Sequence, residues 1–317
     1  MTLVSPLDWG LGHATRCVPI INDCIRNGEQ VLLASDGQAL AFLKQEFPSA
    51  KCIRLKGYRM RYAGGRLLPF VIMAQLPLFG FSILLEHIRL RKIINDYAVN
   101  RVISDNRYGL WCKSAESIII THQLYIQLPK YLSIFRKPLH LFTAHLLHKF
   151  NKIWVPDYAD ANESLSGRLS HGGALDNSVS YIGPLSRFEK SVKCENIDAP
   201  DVLILLSGPG RQKRQFAKQM LKSLQNSKKR ILIAGAEPEQ KYQIAKDNIL
   251  TVSHISTSVL NGLLLSTPQI IARAGYSTIM DLHKLGRAAQ LYPTPGQWEQ
   301  EYLAKRYSSA HSVATYD

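Results

Sequence analysis

Short runs of aliphatic and β-branched residues alternate along the whole chain with stretches of helical spacing, the pattern of parallel strands joined by crossover helices. In the first half the apolar runs predict strands at Thr2–Pro6, Gln30–Ala34, Lys51–Leu55, Arg101–Ser104, Ser117–Thr121, Lys152–Val155 and Val179–Ile182. Helical spacing fills the gaps, notably at Ala14–Asn27, Phe81–Tyr97 and Leu128–Phe150. The rhythm restarts with strands at Val202–Leu206, Arg230–Ala234, Ile249–Val252, Gln269–Ala272 and Ala289–Tyr292, followed by helices near Gln212–Gln225, Ser256–Leu264, Ser277–Leu285 and Trp298–Arg306. Between the halves, Gly183 to Pro200 is polar, holds two prolines and has no clear period. The expected organisation is therefore an α/β domain over 1–183, a linker over 184–200 and a second α/β domain over 201–317.

The length of 317 residues fits two domains, and a hydrophobic content of 46% is ample for two cores. Five cysteines (Cys17, Cys24, Cys52, Cys112 and Cys194) are scattered without a CxxC pair, which argues against a zinc ribbon or redox dithiol and for a reducing compartment. Cys17 and Cys24, seven residues apart, are expected on one buried helix face. No basic n-region or cleavage pattern precedes the first strand, so a cytoplasmic location is expected.

The formal charge of +15 is spread over both halves, with one denser run at Lys51, Arg54, Lys56, Arg59, Arg61 and Arg66. Such spreading disfavours nucleic acid as a partner and favours phosphorylated ligands or an anionic lipid surface. Residues 67–85 carry no charge for nineteen positions, the length of a short membrane span. Two prolines, a glycine and a glutamine interrupt the run, which favours a buried or membrane-facing helix pair instead. Arg89, Arg91 and Lys92 follow it, so peripheral attachment to the inner face of an anionic membrane is expected.

Four segments carry candidate chemistry. The first strand runs into Asp8-Trp9-Gly10-Leu11-Gly12-His13-Ala14-Thr15-Arg16, where Gly10 and Gly12 permit a sharp turn and the following helix offers unpaired N–H groups to an anion. A dinucleotide fingerprint would need a third glycine where Thr15 stands. In the second half a strand ends at Ser207-Gly208-Pro209-Gly210, and the next helix opens with Arg211, Lys213 and Arg214, cations that oppose its dipole unless an anion sits there.

In Arg273-Ala274-Gly275-Tyr276-Ser277-Thr278, a strand leaves through glycine into a helix with Ser277 as the expected N-cap; Asp281, one turn in, can accept two hydrogen bonds from a ribose diol. The last segment, from Tyr292 through Gln297 to Glu299 and Gln300, starts a helix with side chains able to hydrogen-bond vicinal sugar hydroxyls. Each of these has a bland reading too: a tight turn, a solvated basic face, a carboxylate stabilising its own helix, an amphipathic helix start.

Together the segments resemble the family 28 glycosyltransferases and their relatives, which include the N-acetylglucosamine transferase of peptidoglycan lipid synthesis. Gly10 to Arg16 resembles the amino-terminal glycine loop, Arg273 to Thr278 with Asp281 resembles the donor motif, and Glu299-Gln300 is similar to the pair that contacts the sugar. The resemblance implies a GT-B fold, two Rossmann-like domains facing across a cleft, with the acceptor held by the first and a nucleotide-sugar donor by the second. It implies Asp281 at the ribose, His254 near the base, and Ser207 to Gly210 with Arg273 bordering the diphosphate. Two features depart from it: thirteen residues follow Ala304, few for the helix that crosses back in such enzymes, and the glycine run before His13 is short.

No DxD triplet occurs and no cofactor is expected, so the departing diphosphate would rely on helix N-termini and basic groups rather than a metal. The absence of an E-x7-E spacing favours inversion. His13 is the first candidate base, with Asp105 and His122, each after another first-domain strand, in reserve. The expected activity is hexosyl transfer from a UDP-sugar to a glycan or lipid-linked acceptor of the cell envelope. A sugar-nucleotide epimerase of the same fold, an NAD-dependent oxidoreductase using Gly10, Gly12 and Asp36, and a non-catalytic nucleotide-sugar-binding protein are the rivals.

Overall fold

The computed structural model describes residues 1–58, 68–128, 130–171, 178–191, 198–208, 210–240 and 242–308. Arg59, Arg61, Arg66 and Cys194 lie outside them. The chain divides into two compact units. One comprises Met1–Asp8 with Arg16–Leu185, and the other Trp9–Thr15 with Ser186–Asp317.

Unit 1 is built on a seven-stranded parallel sheet of β1 (Thr2–Pro6), β2 (Val31–Ser35), β3 (Lys51–Arg54), β4 (Arg101–Asp105), β5 (Glu116–Ile120), β6 (Lys152–Val155) and β7 (Val179–Tyr181). Their spatial order is β3-β2-β1-β4-β5-β6-β7. The central strands are covered on both faces, which is why they read as continuous apolar runs rather than alternating ones; Leu3 pairs with Leu32 on one side and Val102 on the other. The helices are α1 (Leu11–Arg26), α2 (Gly37–Glu46), α3 (Leu68–Tyr97) and α4 (Arg136–Leu147), the last preceded by a 3-10 turn over Lys130–Phe135. Cys17 and Cys24 are both buried on α1.

The apolar run predicted as a helix pair is part of one continuous thirty-residue helix, α3, with Pro77 inside it. Among the described residues no helix is long and apolar enough to cross a membrane. Buried Arg107 ties α3 down: it donates to Glu86 at 3.0 Å, to Ser5 Oγ at 3.2 Å and to the Lys56 carbonyl at 3.2 Å. Gly109 lets the helix approach, because a Cβ there would lie 2.4 Å from the Ile83 carbonyl oxygen. After β6, buried Asp157 accepts bonds from the Leu165 and Ser166 amides and from the hydroxyls of Ser164, Ser166 and Ser170. Burial pushes its carboxyl up, but these donors outweigh that and leave it below its ordinary range.

Unit 2 holds β8 (Val202–Leu205), β9 (Ile231–Ala234), β10 (Gln243–Lys246), β11 (Ile249–Val252), β12 (Gln269–Arg273) and β13 (Gln290–Tyr292), in the order β10-β11-β9-β8-β12-β13. All pairs are parallel except the β10–β11 hairpin. Its helices are α5 (Gly210–Leu224), α6 (Thr257–Ser266), α7 (Tyr276–Leu285) and α8 (Trp298–Arg306). Phe216 and Met220 of α5 pack on Val202, Ile204, Ile231 and Ile271 of the sheet.

Candidate functional site

In a doubly wound sheet, ligands bind beyond the carboxyl ends of the strands where the order reverses. Unit 1 reverses between β1 and β4, and unit 2 between β8 and β12. The glycine segment after β1, Ser207 and Gly208 after β8, and the Gly275 turn after β12 therefore stand at switch points.

At the unit 1 switch point, Pro6 and Asp105 are register partners at the ends of β1 and β4. Asp105 is buried and accepts hydrogen bonds from both Nε and Nη2 of buried Arg16. Nη1 of Arg16 lies 3.4 Å from Nδ1 of buried His122, and since a guanidinium only donates, that nitrogen is the acceptor. The Cys17 thiol sits 3.7 Å from Asp105, and burial together with that carboxylate pushes it well above its usual range. Burial also pushes the Tyr108 phenol up to about 12. Asp105 and His122, the reserve bases, thus belong to one buried cluster with the Arg16 guanidinium. His13, in the first turn of α1, is half-exposed.

The segment Trp9–Thr15 that carries His13, spanning the turn after β1 and the start of α1, groups with unit 2. Gly10 has φ 104°, a left-handed conformation that favours glycine. The Gly12 carbonyl accepts a 2.9 Å hydrogen bond from Ser277 Oγ, and a Cβ on Gly12 would come within 2.9 Å of that oxygen. Ser277 is thus not the N-cap expected from sequence. α7 starts at Tyr276 with Gly275 as cap, and the serine hydroxyl is turned to the glycine loop instead. Tyr276 and Ala274 are buried, and the Ala274 amide donates to the Tyr292 carbonyl at 3.1 Å; Ser277 and Thr278 in the first turn of α7 remain partly exposed.

The basic start of α5 also differs from expectation. Lys213 is buried, 2.7 Å from Glu237, which also accepts from Tyr242 at 2.9 Å. Burial raises the Glu237 carboxyl, and these two donors bring it below its ordinary range. The dipole penalty anticipated for Lys213 is thereby met by a carboxylate 24 residues on, not by a ligand. Arg211 and Arg214 stay exposed, and Nη1 of Arg214 lies 3.5 Å from where a Cβ on Gly210 would stand, back over the helix start. Gly208 has φ 88°. Arg273 is only 3% exposed. It lies 4.1 Å over the Phe216 ring and donates to the Pro293 carbonyl at 2.8 Å, so its guanidinium is held among core partners.

Asp281 accepts a 2.6 Å hydrogen bond from Ser186, and burial pushes its carboxyl up to about 6 despite Ser186 and the nearby Arg187 charge. Arg187 donates to Thr257 at 2.9 Å. His254 is pushed down to about 4 by burial and by Arg187, so its ring is neutral at pH 7. Ser186 and Arg187 lie in the segment expected to be a linker; the polar pair one residue past Gly183-Pro184 is the available signal. In the last segment Gln300 accepts from the Thr294 amide at 2.9 Å and donates to Gln297 at 2.6 Å, bracing the proline loop. Gln297 reaches Gln212 of α5 at 3.4 Å, and Glu299 is partly exposed in the first turn of α8.

Comparison with solved structures settles what this architecture is. UGT89C1 of Arabidopsis thaliana superposes with a TM-score of 0.63 at 12% identity, over 99% of this chain and 84% of that one, and has also been solved with UDP-L-rhamnose. The spinosyn rhamnosyltransferase SpnG, solved with thymidine diphosphate, gives 0.62 at 12%, over 98% and 85%. MurG of Acinetobacter baumannii gives 0.51 at 14%, over 99% and 85%. The fold is GT-B. No family model matches the chain. Proteins of Methanosarcina mazei and Methanosarcina acetivorans, each named an uncharacterized glycosyltransferase, are 26% identical to this GT-B chain over 313 and 316 residues, 92% of its length and 79% of theirs.

Proposed function

We propose that this chain is a glycosyltransferase that moves a hexosyl group from a nucleoside diphosphate sugar, with uridine as the base, to an acceptor hydroxyl. Unit 2 takes the donor and unit 1 the acceptor. The observation that carries the reading is the start of α7: at the switch point of the second sheet a helix opens after Gly275, with Ser277 and Thr278 in its first turn and a raised carboxyl, Asp281, one turn in. A helix N-terminus favours phosphate, and a carboxylate a turn away suits a ribose diol. Neutral His254 offers hydrogen bonds to a base without a charge. Glu299 and Gln300 take the sugar hydroxyls. The GT-B fold and the names of the two relatives support the same reading.

The acceptor oxygen attacks the anomeric carbon as the bond to the diphosphate breaks, inverting the centre. Its proton passes to His13. Charge growing on the diphosphate is met by Ser207 to Gly210, by the exposed Arg211 and Arg214, and by the helix N-termini rather than by a metal. A glycan or lipid-linked acceptor of the cell envelope fits the basic, apolar character of unit 1.

The test is donor titration by calorimetry with chelator present, beside product analysis and initial rates for His13→Ala. The expected outcome is metal-independent binding that prefers uridine, with turnover of the variant down by about 10² to 10⁴ and donor affinity kept. Loss of donor binding by a well-folded His13→Ala would make His13 a phosphate ligand, and an isomerised donor without a glycosylated acceptor would make the protein an epimerase.

A further inference from the structure

Asn261 is the one amide side chain of α6, and it is 2% exposed, between buried Leu260 and Gly262. A buried amide costs stability unless its donor and acceptor are both met. One residue meets both. The Glu189 amide donates to Asn261 Oδ1 at 2.9 Å, and Asn261 Nδ2 donates to the Glu189 carbonyl at 3.0 Å. The side chain thus does for the Glu189 main chain what a neighbouring strand would do.

Glu189 ends a short strap. Residues 186–189 belong to no helix or strand, and they open the second stretch of unit 2 after unit 1 ends at Leu185. Side chains hold the strap in place. Arg187 donates to Thr257, which stands one turn before Asn261 and so on the same side of α6. Phe188 is buried, and its amide donates to Ser186 Oγ at 3.1 Å. With that oxygen accepting from Phe188, the Ser186 hydroxyl donates to Asp281 Oδ1 of α7 at 2.6 Å. A hydroxyl that accepts on one side and donates on the other is polarised along the chain of bonds. The strap therefore links Asn261, at its Glu189 end, to the Asp281 carboxylate, at its Ser186 end.

We propose that Asn261 is a positioning residue for the nucleotide-sugar donor: by fixing Glu189 it holds Ser186 on Asp281, so the carboxylate is set before the ribose diol arrives. This rests on the reading of Asp281 as the group that accepts from the ribose. A carboxylate already ordered loses less freedom when the diol binds. The coupling is reciprocal, so a bound diol steadies the strap in return.

The test is a double-mutant cycle on the full chain, read by calorimetry with uridine diphosphate. Asn261→Leu roughly keeps the side-chain volume and removes both bonds to Glu189, and it should weaken binding about fivefold. In an Asp281→Asn background the same substitution should change affinity by less than about twofold, because it acts through the carboxylate. Glu189→Pro removes the strap's own donor without touching α6 and should repeat the pattern if Asn261→Leu folds poorly. A further readout needs no variant: uridine diphosphate should slow hydrogen exchange of the Phe188 and Glu189 amides in the wild type by about fivefold.

An equal loss of affinity in both backgrounds overturns the proposal, since Asn261 would then only support the fold. Binding that depends on Asp281 but is indifferent to Asn261, or that leaves strap exchange unchanged, overturns it as well and spares the donor site. Binding indifferent to Asp281→Asn removes the ribose reading itself, and the positioning role falls with it.

Discussion

A buried carboxylate of unit 1 and a half-buried one of unit 2 both meet serine hydroxyls and end on opposite sides of their ordinary range. Asp157 collects three serine hydroxyls and backbone amides within a single loop, and its carboxyl is held low. Asp281 accepts from the Ser186 hydroxyl, 95 positions away, and its carboxyl is pushed up to about 6. Burial acts the same way on both; the number of donors decides the outcome. A saturated carboxylate is a structural fixture. One held by a single hydroxyl has lone pairs to give, which is what a ribose diol needs.

Removing the saturated member should have the largest effect. Asp157→Ala strands several buried donors, and we expect a loss of about 3–5 kcal/mol in denaturant unfolding. A loss below 1 kcal/mol would mean that water replaces the carboxylate and would erase the distinction between the two sites. The pH signs also differ. The Asp157 contribution is present above the unfolded carboxyl value and lost as acid protonates it below that value.

Asp281 runs the other way: its stabilising effect is full below the unfolded value and fades as pH rises toward 6. Asp281→Asn should therefore flatten a decline in stability between about pH 4 and pH 6, on the order of 1–3 kcal/mol. The same variant should weaken donor binding about tenfold at pH 7. Wild-type donor affinity should fall as pH drops below about 6, and His254, neutral down to about 4, does not account for that fall. Calorimetric titrations of uridine diphosphate across this range check both statements; a flat wild-type profile would remove Asp281 from the ribose.

The smallest effect is expected from Ser186→Ala. The serine bond favours the charged carboxyl, so its removal should move the pH midpoint of donor binding upward while changing affinity at pH 8 only a few-fold. An unmoved midpoint would show that burial alone sets the Asp281 value.

Much of the chain was legible because buried parallel strands must be apolar on both faces. The buried run at Thr2–Pro6 falls where the structure has it, as do Lys152–Val155, the half-buried Ile249–Val252 and the helix Trp298–Arg306. β10 was missed for the converse reason: Gln243–Lys246 is exposed throughout and pairs at an edge, so nothing about its side chains marks it as a strand. The prolines in 67–85 suggested a break that packing did not require, since α3 is anchored at Glu86 and Arg107 and tolerates Pro77.

Local pattern therefore determined where strands end, where glycines turn the chain and which short segments stand at strand ends, because those depend on neighbours within a few residues. What each side chain there does was decided by tertiary partners far along the chain. Glu237 pairs with Lys213, Phe216 and Pro293 hold Arg273 in the core, and Asp281 accepts from Ser186. Charge and hydrogen-bonding capacity are properties of the residue, but their availability to a ligand is what remains after the fold has used its share.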